Sequence, residues 1–335
     1  MGFSSVYGPF RRRFLRRSVA AFITLPGLAI AQAPGGARRV ALLLSGTPAA
    51  TAHLVKALVG GLVQFDWIEG RNLRLDIRHA DGDLSRLRSL AAGLLGLKPD
   101  VIVASNEQVA REAVALTKTV PIVFAVGFDP VGTKLVQSLA RPGGNVTGLS
   151  TLSYELVPKR LELLKKAVPT LKRVAVIYRA GDANADRVLK SLVEPALTLG
   201  LTIIPGEVSD ATGFDRAFEH FSKQKAGGIL QAPDAYFFSH AARIAELTVK
   251  HSLAAGFGVS ESARFGALFS YGPDFTAIFR RSATLVDKIL KGAKPADLPV
   301  EQVNVYELVV NLKTARALGI KLPPSFMLQA TQTIE

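Results

Sequence analysis

Cysteine is absent from all 335 residues. That excludes a disulfide framework, a thiolate metal site, a thiol redox centre and a lipid-modified N-terminal cysteine. Long apolar runs are also scarce. The one stretch of note, Val19–Ala31, falls short of the roughly 20 residues a membrane-crossing helix needs, so a multi-span transporter is excluded. Histidine is sparse, and His53, His79, His220, His240 and His251 show no His-x-x-x-His spacing, which argues against a metal hydrolase. The chain also lacks a Gly-x-Gly-x-x-Gly turn, a phosphate loop ending in Lys-Ser/Thr and a Gly-x-Ser-x-Gly elbow. A nucleotide cradle and a hydrolase nucleophile therefore lose their usual sequence carriers, and no cofactor is expected.

What is present has a globular balance, with 48% hydrophobic and 20% charged residues, and a length that suggests two domains of roughly 150 residues. Lys and Arg number 41 against 27 Asp and Glu. Five of those basic residues, Arg11, Arg12, Arg13, Arg16 and Arg17, crowd into a stretch that has no acid before residue 32. The remaining excess is spread along the chain without the basic, aromatic-interleaved stripe of a nucleic-acid binder, so no nucleic-acid partner is expected.

The N-terminus reads as an address. Arginines, the apolar run and Ala29-Ile30-Ala31 follow the order of a secretory signal over residues 1–31. The Arg-Arg-x-Phe-Leu pattern beginning at Arg11 also admits the twin-arginine route. With no cysteine for a lipid anchor, the expected location is the periplasm, with the mature chain starting near Gln32.

From residue 38 onward, apolar β-branched runs alternate with helical-period segments, the pattern of parallel sheets covered by helices. Predicted strands cover Arg39–Leu44, Asn72–Arg78, Asp100–Ala104 and Pro121–Val126, with crossing segments at Asn145–Leu149 and Phe269–Gly272. The same grammar restarts about 130 residues on. Arg39-Val-Ala-Leu-Leu-Leu is answered by Arg173-Val-Ala-Val-Ile-Tyr, and Lys98-Pro-Asp-Val-Ile-Val-Ala by Lys225-Ala-Gly-Gly-Ile-Leu-Gln. The expected fold is α/β: two doubly wound, Rossmann-like lobes joined by a hinge. One lobe takes residues 38–150 plus 273–300, the other 151–272 plus 301–335.

Doubly wound sheets bind ligands outside the carboxyl ends of their strands. The candidates are therefore polar and aromatic residues at those ends: Ser45, Thr47, Ser105, Asn106, Phe128 and Asp129 in the first lobe, with Thr147 at the crossing. In the second they are Tyr178, Asn184, Asp234, Tyr236 and Ser260, with Tyr271 at its crossing. Each of these could instead be a helix cap or a turn residue. Together they suit a zwitterion, with hydroxyls and helix N–H groups for a carboxylate, Asp129 or Asp234 for an ammonium, and aromatic faces for a side chain. Asp182-Ala-Asn184-Ala-Asp186 resembles a calcium-loop opening but has Arg187 where the glycine belongs, so a helix cap is the expectation.

Longer segments carry a family resemblance. Ile68-Glu-Gly-Arg-Asn-Leu, Val120-Pro-Ile-Val-Phe-Ala leading to Asp129-Pro-Val-Gly, Arg141-Pro-Gly-Gly-Asn-Val-Thr-Gly148 and Ile289-Leu-Lys-Gly-Ala-Lys-Pro-Ala-Asp-Leu-Pro-Val-Glu301 are similar to the periplasmic substrate-binding proteins of ABC transporters related to the tryptophan- and tyrosine-binding lipoproteins. The resemblance implies the type I periplasmic-binding architecture with a three-strand hinge and no catalysis. It implies a monomeric chain, a small polar or amino-acid-like ligand held in the interlobe cleft by hinge closure, and a membrane permease as partner. Ser105-Asn106-Glu107-Gln108 departs from the Gly-Thr-Pro-Ala-like turn of that family and puts an acid beside the expected ligand. A periplasmic sensor, or an enzyme using Asp129 or Glu261 as a base, would use the same cleft.

Overall fold

The computed structural model describes residues 36–151, 153–182 and 184–335; the expected signal segment lies outside them. Among the described residues, thirteen strands form two sheets. β1 (Arg38–Leu44), β2 (Leu73–His79), β3 (Val101–Asn106), β4 (Ile122–Gly127) and β5 (Val146–Thr151) open the first. β6 (Arg173–Arg179), β7 (Thr202–Val208), β8 (Gly228–Gln231), β9 (Ala254–Phe257) and β10 (Phe269–Pro273) open the second. β11 (Glu301–Val303), β12 (Tyr306–Asn311) and β13 (Gln332–Ile334) follow.

The sheet orders are β2-β1-β3-β4-β5-β11 and β7-β6-β8-β9-β10-β12-β13. Each domain thus winds its first five strands in the same order, as the sequence repeat predicts. β3 and β4 are buried along their whole length, because helices cover both faces of a parallel sheet and its inner strands become unbroken apolar runs. β7 lies at an edge and contains Pro205, a residue that an inner strand would not accommodate. Among the described residues, the only antiparallel pairing between strands of these sheets is β10 with β12, Tyr271 opposite Leu308.

The chain passes between the domains after β5, after β10 and between β11 and β12. After the second passage, helix Phe275–Leu290 returns to the first sheet and lies along helix Pro48–Val63. Gly61 makes that approach possible, since a Cβ there would stand 2.5 Å from the Arg280 carbonyl oxygen. Trp67 donates from Nε1 to Asp287 Oδ1 of the same helix at 2.9 Å.

One boundary differs from the sequence expectation. Residues 301–303, placed with the second lobe, run parallel to β5 in the first sheet, with Glu301 opposite Leu149. The passage between domains comes only after Val303. A three-residue edge strand pairs by main-chain hydrogen bonds to β5, a preference that side-chain patterning over so short a run does not reveal.

Candidate functional site

The carboxyl ends of both sheets border one cleft, which has two connected parts. The inner part is a chamber of about 50 Å³, and the outer part is a wider recess of about 400 Å³. Asn106, Phe128, Pro233 and Asp234 line both. Phe128 packs against the cores of the two domains and meets Tyr154 edge-on at 6.5 Å. Phe238, from the second domain, stands edge-on to Phe275 at 6.0 Å. The inner walls are thus largely apolar.

The polar groups of the inner chamber are mostly donors. Ser45 terminates β1, and its backbone N–H donates to Ser105 Oγ at 3.2 Å. Asn106 caps helix Glu107–Leu116 by accepting from Val109 N, and its Nδ2 donates to Ser45 Oγ at 3.3 Å. Both serine hydroxyls therefore act as acceptors, and among the described residues their own protons have no recorded acceptor. Gln231, at the end of β8, is 6% exposed, and its side chain makes no hydrogen bond among the described residues. Arg160 completes the chamber from helix Val157–Ala167. It is 1% exposed, and its guanidinium donates to the Tyr271 and Ser153 carbonyl oxygens. Burial lowers its pKa to about 10.

The outer recess carries acceptors and charge. Glu107 opens its helix and takes the Asp129 backbone N–H at 3.1 Å. Burial pushes its carboxyl above the ordinary range. Asp234 caps the following helix through Tyr236 N, and burial raises it as well, against the pull of Arg179 at 3.9 Å. Asp182 leaves Oδ2 buried without a hydrogen-bond partner. Burial, reinforced by Asp182, Glu107 and Asp234, keeps the Tyr154 phenol protonated. Three carboxylates thus face one recess that also holds Arg111 and Arg179. Among the described residues no group of three His, Asp or Glu side chains could hold a metal ion.

Of the residues singled out by sequence, Ser45, Ser105, Asn106, Phe128, Asn184 and Asp234 stand on the cleft wall. The others make contacts elsewhere in the fold. Thr47 is an exposed cap for helix Pro48–Val63, and Thr147 donates to the Leu298 carbonyl beneath β5. Asp129 accepts from Gly132 N and reaches Arg187 of the other domain at 3.5 Å. Tyr178 packs on the second core. Tyr236 stacks with Phe214 and lies beneath the Arg179 guanidinium. Ser260 bonds Glu261 at 3.4 Å, and Tyr271 lends its carbonyl to Arg160. Asn184 stands at the head of its helix without capping it; its amide donates to Tyr154 Oη at 3.3 Å instead. This corrects the cap reading of Asn184, whose side chain is turned to the phenol, while Asp182 Oδ1 accepts from the Asn184 backbone N–H at 2.9 Å.

Sequence reasoning passed over Arg160, Gln231 and Phe238. Arg160 did leave a signal, because it falls on the apolar stripe of its helix beside Val157, Leu161 and Leu164, where a charge is out of pattern.

The profile of the ABC transporter substrate binding proteins matches residues 40–334. The chain belongs to that family. It is 27% identical over 267 residues to a tyrosine-binding protein of Clostridioides difficile (strain R20291), covering 79% of this chain and 76% of the relative. Among solved structures, a conserved domain protein from Vibrio cholerae aligns with TM-score 0.80 and 31% identity over 89% of this chain and 99% of that one. An ABC domain in complex with L-Trp from Streptococcus pneumonia aligns with TM-score 0.79 and 24% identity, covering 89% of this chain and all of that one. The two parallel-sheet domains match the type I periplasmic binding proteins. The family is one of binding proteins.

Proposed function

We propose that this substrate-binding protein serves an importer and captures an amino-acid-like zwitterion by closing its two domains over it. The observation that carries the reading is the division of the cleft. Donors, Ser45, Ser105, Gln231 and Arg160, face the inner chamber, the acceptors Glu107 and Asp182 face the outer recess, and Asp234 stands on the border of the two. A carboxylate suits the first set and an ammonium the second. Apolar faces of Phe128, Phe238 and Phe275 are suited to a side chain between them. The tyrosine-binding relative and the L-Trp complex support a ligand of this class.

Closure would follow from contacts that only the closed state makes with both domains. Polar contacts already bridge the cleft, among them His53 Nε2 to Glu261 Oε1 at 2.9 Å and Arg187 to Asp129 at 3.5 Å. The domains are residues 38–151 with 274–303, and 153–273 with 306–335. The basic N-terminal segment would direct the protein to the periplasm, where a permease of the inner membrane receives the ligand. No described helix is long and apolar enough to cross a membrane.

The test is native mass spectrometry of the protein released from the periplasm, followed by calorimetry with L-tyrosine and L-tryptophan. A bound amino acid, recovered chemically unchanged and accompanied by a smaller radius in small-angle scattering, is the expected result. Turnover of the ligand, or a radius unchanged by a confirmed ligand, would overturn the corresponding part.

A further inference from the structure

Arg160 is a fully buried cation with no carboxylate within ion-pairing distance among the described residues. Buried charges are ordinarily paired, and a lone one is an expensive arrangement unless something else answers it. Its surroundings answer it only in part. Nε donates to the Tyr271 carbonyl at 2.7 Å and Nη1 to the Ser153 carbonyl at 3.3 Å. Ser153 directly follows the first passage between domains, and Tyr271 lies in β10 just before the second. Guanidinium has five N–H donors, so these two contacts leave donors over. Gly258 presses against the same group, where a Cβ would stand 2.9 Å from Nη2. The Ser45 and Ser105 hydroxyls and the Gln231 amide, also in the chamber, offer protons rather than negative charge, and Asp234, on the border with the outer recess, is paired with Arg179 at 3.9 Å.

We propose that Arg160 is the anchor for the ligand's carboxylate, which enters the inner chamber and supplies the missing counter-charge between the two domains. This rests on the amino-acid reading of the cleft and adds its orientation: carboxylate inward beside the domain passages, ammonium outward toward Glu107, Asp182 and Asp234. Two neutral carbonyls could be served by a neutral side chain. A guanidinium adds a planar, doubly donating face that fits a carboxylate. Because the same side chain holds a carbonyl beside each of two passages, the ligand's anionic end is read next to the hinge.

The test varies the ligand first, so it does not depend on any variant folding. Wild-type protein is screened against the twenty L-amino acids by thermal shift, and the tightest binder is compared with its own α-amide by calorimetry. The amide keeps the ammonium and side chain but loses the negative charge. The expected result is a loss of at least about thirtyfold for the amide, the size of breaking a buried charge pair. In Arg160→Met the acid and the amide should bind with similar, weak affinity. Gly258→Ala, which crowds Nη2, should weaken the acid more than the amide. If Arg160→Met does not fold, the wild-type and Gly258→Ala comparisons decide. Equal binding of acid and amide by the wild type would overturn this proposal and leave the amino-acid reading standing. So would an acid preference that persists undiminished in Arg160→Met. A wild type that binds none of the twenty would overturn the amino-acid reading, and this proposal with it.

Discussion

Asn106 and Asp234 occupy matching places in the two domains. Asn106 ends β3 and Asp234 follows β8, the third strands of the shared order, and each caps the helix that follows, Asn106 through Val109 N and Asp234 through Tyr236 N. Each also lines both parts of the cleft. As caps the two residue types are nearly equivalent, worth about 1 kcal/mol apiece. They differ in charge. The first domain keeps this corner neutral beside Ser45 and Ser105, and the second places a buried carboxylate there. A repeated scaffold thus supplies the same backbone role twice, and at this corner the one side-chain atom that differs decides whether a charge stands there.

Erasing that difference should give the largest effect. Asp234→Asn retains the cap and removes the charge, so thermal stability should change little. Amino-acid affinity should fall by roughly thirty- to several-thousand-fold, corresponding to about 2–5 kcal/mol for an unpaired buried charge. Calorimetry and a melting curve on the same preparation separate the two. The converse change, Asn106→Asp, puts a carboxylate among the inner donors and should weaken the acid ligand while sparing its amide.

Acid should blunt the difference without mutation. Burial raises the carboxyls of Glu107 and Asp234. Without ligand, their contribution to stability is complete below their unfolded pKa values and is lost as pH rises through the folded ones. A bound ammonium favours the ionised forms and so releases protons. Affinity should therefore fall as pH drops through the window just above the ordinary Asp and Glu range, by up to about tenfold per pH unit for each proton released. Glu107→Gln should flatten that profile, and a pH-independent affinity in the wild type would remove the ammonium from this recess.

Smaller effects await the contacts that bridge the cleft's rim. His53→Ala removes the half-exposed pair with Glu261 and should reduce affinity by no more than about fivefold, the scale of a surface ion pair. Asp129→Asn should do still less in a binding titration. Its carboxylate already accepts from Gly132 N, an acceptor role that the asparagine oxygen can keep, and its bridge to Arg187 is partly exposed. A large loss at Asp129 would move the ammonium site away from Asp234.

The architecture was legible because the repeat is written in strand cores: β1 and β6 read almost alike, and buried parallel strands leave little freedom of composition. Strand ends showed where polar groups meet the cleft, which is how Ser45, Ser105, Asn106 and Asp234 came into view. They did not show which way each neighbour turns. Thr147 is two strand positions from Leu149, yet its hydroxyl is fixed to Leu298, a residue 151 positions away. Tyr236 follows Asp234 closely but turns to Phe214 and Arg179. Arg160 lies on no strand end at all. It reaches the cleft because its helix begins at a domain passage, a relation between distant segments that local pattern does not record.

Helix Phe275–Leu290 gives the two domains unequal histories during synthesis. Ile278, Phe279, Ala283, Val286 and Ile289 share a core with Leu54, Leu58 and Leu62, so the ribosome has made the five opening strands of the second sheet before the first sheet's covering helix exists. Contacts this distant in sequence carry the loop-closure entropy that slows folding. A nascent chain ending shortly after β5 would present the apolar side of helix Pro48–Val63 without its partner. The domain made first is therefore the one completed late, and its unfinished face is the surface a chaperone would meet.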